Sequence, residues 1–416
     1  MLTQEENELL CRVGPGTPMG AYMRAFWLPA LRGERLAAGG APVRLRLLGE
    51  DLVAFRAADG RVGIFDEACP HRGASLAMAC NEGDGLRCSY HGLKLSAGGT
   101  VVDVPMERRE RRARYAAQVP VAVHPVHEAG GIVWTWLGDR AVPPAPFPEF
   151  NWTRLPAEQV KSAVGIIPAN WMQGLEGQLD SAHVGILHRD QFSPNRLRGA
   201  GKVGYDSAPR LAITTADSAP SFEFEPQPYG YREAAVRVLR DGRHYVRVRE
   251  FVVPFYSFIP LGGRDDIHNV TMSVPIDDSH SAQWDIFFYL NRALPEGNVF
   301  DTPTPDDYAA NLGTLDNRFG QDRRRMRESS FSGLEWLRVE DFAVAVSQGA
   351  IVDRSREYLG SSDTSVLRAR RLLIAQARQH ATGKPALGVG RAIDWSVIRA
   401  LDAIIPADGD WRSLPR

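Results

Sequence analysis

Along the first third of the chain, apolar positions repeatedly alternate with polar ones, the period of a strand with one covered face. Val43-Arg44-Leu45-Arg46-Leu47 alternates, Leu52 to Arg56 follows, Asp59-Gly60 supplies a hairpin turn and Val62 to Phe65 resumes. The pattern continues through Leu93-Lys94-Leu95, a Gly98-Gly99 turn, Val101-Val102 and the apolar run Ile132 to Leu137, which predicts a compact antiparallel module. A short helix over Glu5 to Arg12, ended by Gly14-Pro15-Gly16, precedes it. Val142-Pro143-Pro144-Ala145-Pro146-Phe147-Pro148 then sets four prolines in seven residues, which enforces extended, semi-rigid chain and marks a domain boundary. Beyond it the spacing predicts a helix from about Asn170 to His183 and strands over Tyr231 to Val238, His244 to Val253 and Trp284 to Leu290. Amphipathic helices are expected from about Asp307 into the C-terminal region. This order reads as α+β: an N-terminal helical arm (1–25), the antiparallel module (26–141), a proline-rich linker (142–149) and a larger second domain (150–416).

Composition narrows the function. In 416 residues, 49 lysines and arginines face 50 acidic residues, so bulk charge gives no support to nucleic-acid or anionic-membrane binding. Hydrophobic residues at 44% and charged residues at 24% describe an ordinary globular chain. Met1 to Gly20 is acidic and polar without a signal-peptide pattern, and no apolar run approaches the ~20 residues of a membrane span, so the protein is expected to be cytoplasmic. Four cysteines are too few for a disulfide scaffold, and a clustered pair therefore reads as metal ligation or redox chemistry.

That pair is the strongest chemical signal. Cys69-Pro70-His71 is followed, after sixteen residues, by Cys88-Ser89-Tyr90-His91. Two thiolates and two imidazoles in short loops between strands are what a Rieske 2Fe-2S cluster needs, with cysteines on one iron and histidines on the other. A structural zinc site accepts the same ligand set, and in that case the chain would be a zinc-stabilised binding protein. Cys11 and Cys80 read as buried or incidental thiols. In the second domain, Asp180-Ser181-Ala182-His183-Val184-Gly185-Ile186-Leu187-His188 places two histidines five residues apart. In a straight helix such residues point about 140° apart, so they converge only if the helix breaks between them, with Gly185 as the expected break. Two structural histidines are the other reading of this spacing. Asp180, three residues before His183, can accept a hydrogen bond from its ring on the same face. Arg108-Arg109-Glu110-Arg111-Arg112-Ala113-Arg114 is either a solvated face or a docking or subunit contact.

The paired C-x-H and C-x2-H boxes, together with D-x2-H-x4-H, resemble the Rieske non-heme iron oxygenases. Ala74 and Tyr90 stand where the respiratory relatives carry extra cysteines, which favours the oxygenase or ferredoxin type. A Rieske electron carrier would be complete by about residue 120, and the long second half argues for the oxygenase. The resemblance is to the phthalate dioxygenase-like branch of α subunits. It implies a helix-grip-like catalytic domain with a curved antiparallel sheet around a long helix, and a head-to-tail homotrimer, sometimes doubled to a hexamer. It also implies mononuclear Fe(II) held by His183, His188 and, from Val339-Glu340-Asp341-Phe342-Ala343, Asp341, with Glu340 the substitute if the register is wrong. By the same resemblance Asp180 reaches the partner subunit's His91, and NAD(P)H supplies electrons through a separate flavin and iron-sulfur reductase. The expected reaction is O2-dependent hydroxylation (dioxygenation) of an aromatic substrate bearing a carboxylate, with O-demethylation or aryl-ether cleavage as alternatives. Such a substrate in an apolar pocket needs a charge-assisted partner, and Arg196 and Arg247, which match arginines of the phthalate-type relatives, are the candidates.

Overall fold

Thr3 opens the first helix with a reciprocal cap: its hydroxyl accepts from the Glu6 amide while the Glu6 carboxylate accepts from the Thr3 amide. The helix that follows, α1 (Gln4–Cys11), is joined to α2 (Pro18–Met23). The computed structural model describes residues 1–191, 208–261, 267–294, 313–389 and 392–415.

The expected antiparallel module is built from β1 (Trp27–Arg32), β2 (Val43–Leu47), β3 (Glu50–Arg56), β4 (Val62–Asp66), β5 (Cys80–Asn81), β6 (Leu86–Arg87), β7 (Lys94–Leu95) and β8 (Val101–Asp103). After α3 (Arg112–Gln118) come β9 (Val123–His124), β10 (Val126–Ala129) and β11 (Ile132–Trp136). They form three sheets ordered β1-β11-β10, β2-β3-β4-β9 and β5-β6-β7-β8. The proline-rich segment is held against this module rather than free: the Trp27 indole N–H donates to the Ala145 carbonyl at 2.8 Å, and Phe147 stacks on His127.

The second half contributes β12 (Val160–Ile167), α4 (Trp171–Leu179), α5 (Ala208–Ala216), β13 (Ser221–Gln227), β14 (Gly230–Val238), β15 (His244–Val252), β16 (Tyr256–Ile259), β17 (His268–Pro275) and β18 (Ser281–Phe288). The helices α6 (Arg323–Glu328), α7 (Leu337–Ser347) and α8 (Thr364–Ala381) follow, and β19 (Leu401–Ile405) returns to the sheet. The result is one eight-stranded sheet, ordered β12-β18-β17-β16-β15-β14-β13, with β19 also on β15. One edge of β15 is divided, its first part pairing β19 and its last part β16, so the sheet splays.

α4 lies on this sheet and is tied to it through its own backbone: Ser273 donates to the Trp171 carbonyl at 2.6 Å and Ser257 to the Gln178 carbonyl at 3.3 Å. Trp171, Met172, Leu175 and Leu179 are fully buried in the core with Met272 and Trp284. The helix is nine residues long and stops at Leu179, short of the expected His183. Asp180 turns the chain out of the helix at ψ 129°. Helix ends leave carbonyls without partners, and here buried arginines of the sheet take them. Arg249 donates to the Leu179 carbonyl and Arg237 donates to the Ser181 carbonyl at 3.5 Å.

A second buried charge cluster locks the N-terminal arm to α4. Arg354, with no exposed surface, donates to Glu176 at 2.7 and 3.0 Å and to Asn7 and Cys11 of α1, each at 3.1 Å. Removing one member of a buried ion network leaves the other uncompensated, at a cost of about 3 kcal/mol or more. Arg354→Ala is therefore expected to lower the unfolding midpoint in urea and to expose α1 to proteolysis. An unchanged midpoint would show that Arg370, which also holds Glu176 at 2.6 Å, suffices alone.

Candidate metal centres and active site

The two cluster loops meet at the end of the β5-β6-β7-β8 sheet. Cys69 and Cys88 are each 3% exposed, and the His71 and His91 rings meet edge to face with centroids 4.7 Å apart. Burial pushes the Cys69 thiol up to about 11, against the pull of the His71 and Arg72 amides that point at its sulfur and with the added push of the neighbouring Cys88 thiol. Amides aimed at a buried sulfur favour its thiolate, which is the ligating form. His91 Nδ1 is buried and has no hydrogen-bond partner among the described residues. Two buried thiols and two adjacent imidazoles, one with an unpartnered ring nitrogen, are the donor set that a 2Fe-2S cluster requires. Gly92, at φ +76°, makes the second loop possible, because a Cβ there would lie 2.6 Å from Pro105. Tyr90, 55% exposed, stands at the lip of the site with Arg72 over its ring. Cys11 is buried and pushed up to about 11, chiefly by burial, whereas Cys80 is exposed, and neither joins the cluster loops.

The second centre forms where the unwound end of α4 meets α7. His183 lies on a short 3-10 turn, His183–Gly185, and His188 lies beyond it, so both rings turn towards Asp341. The Asp341 Oδ1 atom is 2.9 Å from His188 Nε2 and 3.7 Å from His183 Nε2. One ligand atom from each of the three residues falls within a 4.8 Å span. The break is at Asp180 and not at Gly185. Gly185 is instead required by close approach, since a Cβ there would lie 2.7 Å from the Thr214 carbonyl oxygen.

Each histidine also carries a carboxylate on its other nitrogen. Asp180 lies 3.1 Å from His183 Nδ1, and Glu340 lies 2.6 Å from His188 Nδ1. Glu340 therefore faces the opposite side of the ring from the shared face, and Asp341 faces the shared face. Burial alone would lower the pKa of His188, but Asp341 and Glu340 hold it up to about 9, and the same imidazole outweighs desolvation to hold the half-buried Asp341 carboxyl down at about 2. This field favours a positive charge between the groups, which a divalent cation at the shared face would supply. Two histidines and one carboxylate, with the rest of the face open, are the donor set of non-heme Fe(II) oxygenases. The Asp341 Oδ2 atom accepts from Arg338 at 3.4 Å, and Asp285 in turn anchors that guanidinium.

A cavity of about 350 Å3 opens from this centre. Its walls combine apolar side chains such as Leu187, Ile259 and Phe342 with the buried guanidiniums of Arg247 and Arg249. Arg247 is 4% exposed and donates to the Pro260 carbonyl at 2.9 Å, while its Nε and Nη1 have no partner among the described residues. Arg196 lies outside the described residues.

Comparison with known proteins places both halves of the chain in known families. The Rieske [2Fe-2S] domain family matches residues 26–125, and the family described as LigXa C-terminal domain like matches residues 135–416. The chain belongs to the Rieske non-heme iron oxygenases. It is an oxidoreductase of the terminal-oxygenase type, in a family that carries the 2Fe-2S cluster together with a mononuclear iron. The oxygenase subunit of phthalate 4,5-dioxygenase from Pseudomonas putida is 38% identical over 99% of this chain and 94% of that protein. The oxygenase subunit of 3-chlorobenzoate-3,4-dioxygenase from Comamonas testosteroni is 35% identical over 99% and 98%. Among solved structures, dicamba monooxygenase bound to dicamba shares the fold, with a TM-score of 0.59 at 20% identity over 87% of this chain and 99% of that one. No helix of the described residues is long and apolar enough to cross a membrane.

The cysteine-histidine boxes announced the first centre of this Rieske oxygenase. Arg338, Asp285, Arg237 and Arg249 were not anticipated. Only Arg338 left a local sign, three residues before Asp341 on one helix face.

Proposed function

We propose that this Rieske oxygenase hydroxylates, by dioxygenation, an aromatic substrate bearing a carboxylate, and that Arg247 receives that carboxylate. The observation that carries the reading is a buried guanidinium in the wall of the cavity that His183, His188 and Asp341 also line, with two nitrogens, Nε and Nη1, unpaired among the described residues. Leaving such donors unpaired is costly, and a carboxylate is the strongest acceptor that an aromatic substrate can bring to them. Relatives named for phthalate and 3-chlorobenzoate support the same substrate class.

In this reading Cys69, His71, Cys88 and His91 hold the cluster, and His183, His188 and Asp341 hold the iron. When bound, these groups supply one-electron storage and O2 chemistry. The protein's own work is to orient the ring, exclude water with the apolar walls and keep each histidine's Nε2 towards Asp341. Asp180 links the iron site to the partner subunit's His91 in a head-to-tail trimer or hexamer. Electrons arrive from NAD(P)H through a separate flavin and iron-sulfur reductase. The exposed arginines around α3, whose inner residues Tyr115 and Ala116 pack with the following Val119 on the core that holds Cys69 and Cys88, form the face that meets an acidic donor.

The test is a KM comparison. A charge-assisted pair contributes about 1.5–3 kcal/mol, so Arg247→Ala should raise KM for an aromatic acid by roughly 10–100-fold. The KM for its methyl ester should hardly move. Equal effects on acid and ester would place the carboxylate elsewhere, and ring diols in the product mixture, identified by mass spectrometry, would separate dioxygenation from demethylation.

A further inference from the structure

The geometry points to Glu340 as the residue that positions His188 for metal binding, an inference that rests on the reading of His183, His188 and Asp341 as iron ligands. Glu340 and Asp341 are neighbours on α7, about 100° apart around its axis. That angle lets one helix turn address both nitrogens of a single ring: Glu340 Oε2 lies 2.6 Å from His188 Nδ1, and Asp341 Oδ1 lies 2.9 Å from His188 Nε2. A carboxylate on Nδ1 places the proton there and leaves the Nε2 lone pair for a metal, while adding electron density to the ring.

Glu340 is itself fixed. It is 1% exposed, and its other oxygen, Oε1, accepts from the Ser332 hydroxyl. Ser332 is held in turn by the Leu334 amide, which donates to its Oγ at 3.1 Å. The two histidines thus differ in kind. The carboxylate on His183 has a side chain 27% exposed, whereas the one on His188 is sealed inside the domain. In this reading His188 is the enclosed ligand, with both ring nitrogens addressed from α7, and His183 is the one whose partner remains reachable from outside the chain.

The experiment uses the full-length enzyme and reads metal binding rather than turnover. Apparent Fe(II) affinity is measured by chelator competition on Glu340→Gln, Glu340→Ala and Ser332→Ala, and the ligand-field spectrum of Co(II) placed in the site is recorded for each. Outer carboxylates are typically worth 10–100-fold in affinity. Glu340→Gln keeps an acceptor for Nδ1 without the charge and should weaken Fe(II) by about 10-fold, and Glu340→Ala by about 100-fold. Ser332→Ala, which leaves the carboxylate in place, should have the smallest effect. The Co(II) bands should shift in both Glu340 variants while cluster absorbance stays parental. His188→Ala is the control. If it keeps its iron, the ligand reading has failed and this inference falls with it. If it loses iron while both Glu340 variants bind Fe(II) at parental affinity with unchanged Co(II) spectra, the ligand reading stands and the role given to Glu340 is overturned.

Discussion

His183→Ala, His188→Ala and Asp341→Ala are each expected to abolish product formation and empty the mononuclear site while the red-brown cluster chromophore persists. The three candidate ligand atoms lie within 4.8 Å of one another at the junction of α4 and α7. Deleting any one leaves two donors around a cation that the open face already exposes to water. Even outer partners of metal ligands cost 10–100-fold in affinity, so loss of a direct ligand should exceed about 100-fold. The proposed cluster donors sit on other loops, at the end of the β5-β6-β7-β8 sheet, and share no residue with this site. Total iron should fall by the single mononuclear ion, with visible absorbance and the reduced-cluster EPR signal unchanged. Product formation at the parental rate in any of the three variants would show that the iron is held elsewhere. Loss of cluster absorbance together with iron would show instead that the two sites fold as one unit.

How much of this was written locally explains which expectations held. The cluster loops were legible because their chemistry lies within a few residues of itself, with Gly73 and Gly92 at φ +73° and +76° supplying the turns. The strands expected over Tyr231 to Val238, His244 to Val253 and Trp284 to Leu290 formed as β14, β15 and β18 within a few residues. By contrast β17 is buried at every position, so both faces are covered and His268-Asn269-Val270-Thr271 shows no alternation to detect. Asp307, the expected start of the C-terminal helices, lies outside the described residues, and β19 follows those helices as a strand that periodicity did not announce. The end of α4 was misplaced for a long-range reason. Nothing between residues 170 and 188 reveals that arginines some sixty residues later will take the carbonyls of Leu179 and Ser181. The acidic pair on α7 shows the same limit. Glu340 and Asp341 are chemically interchangeable as a string, and only the helix phase assigns one to each side of His188.

Asp180→Asn is expected to leave cluster absorbance and most of the iron intact but to slow electron transfer between the centres by about 100-fold. Asp180 caps α4 and is tied on one side, its Oδ1 accepting the Ala182 amide at 2.7 Å and its Oδ2 lying 3.1 Å from His183 Nδ1. Burial pushes its carboxyl up, yet the His183 ring and the backbone amides of Ala182 and His183 outweigh burial and keep the pKa below the ordinary value, so the group is an anion at neutral pH. Its side chain remains 27% exposed, which leaves it within reach of a second chain. Asparagine preserves the shape and the contact with Ala182 while removing the charge that orients the His183 ring and, in the proposed trimer, receives the partner subunit's His91. The measurement is a single turnover begun with reduced cluster, with substrate and oxygen present, in which cluster reoxidation is followed optically. Iron retained with slow reoxidation is the expected result, and it separates this carboxylate from a ligand, whose loss would remove iron as well. Reoxidation at the parental rate would take Asp180 out of the electron path and leave it only the task of holding His183.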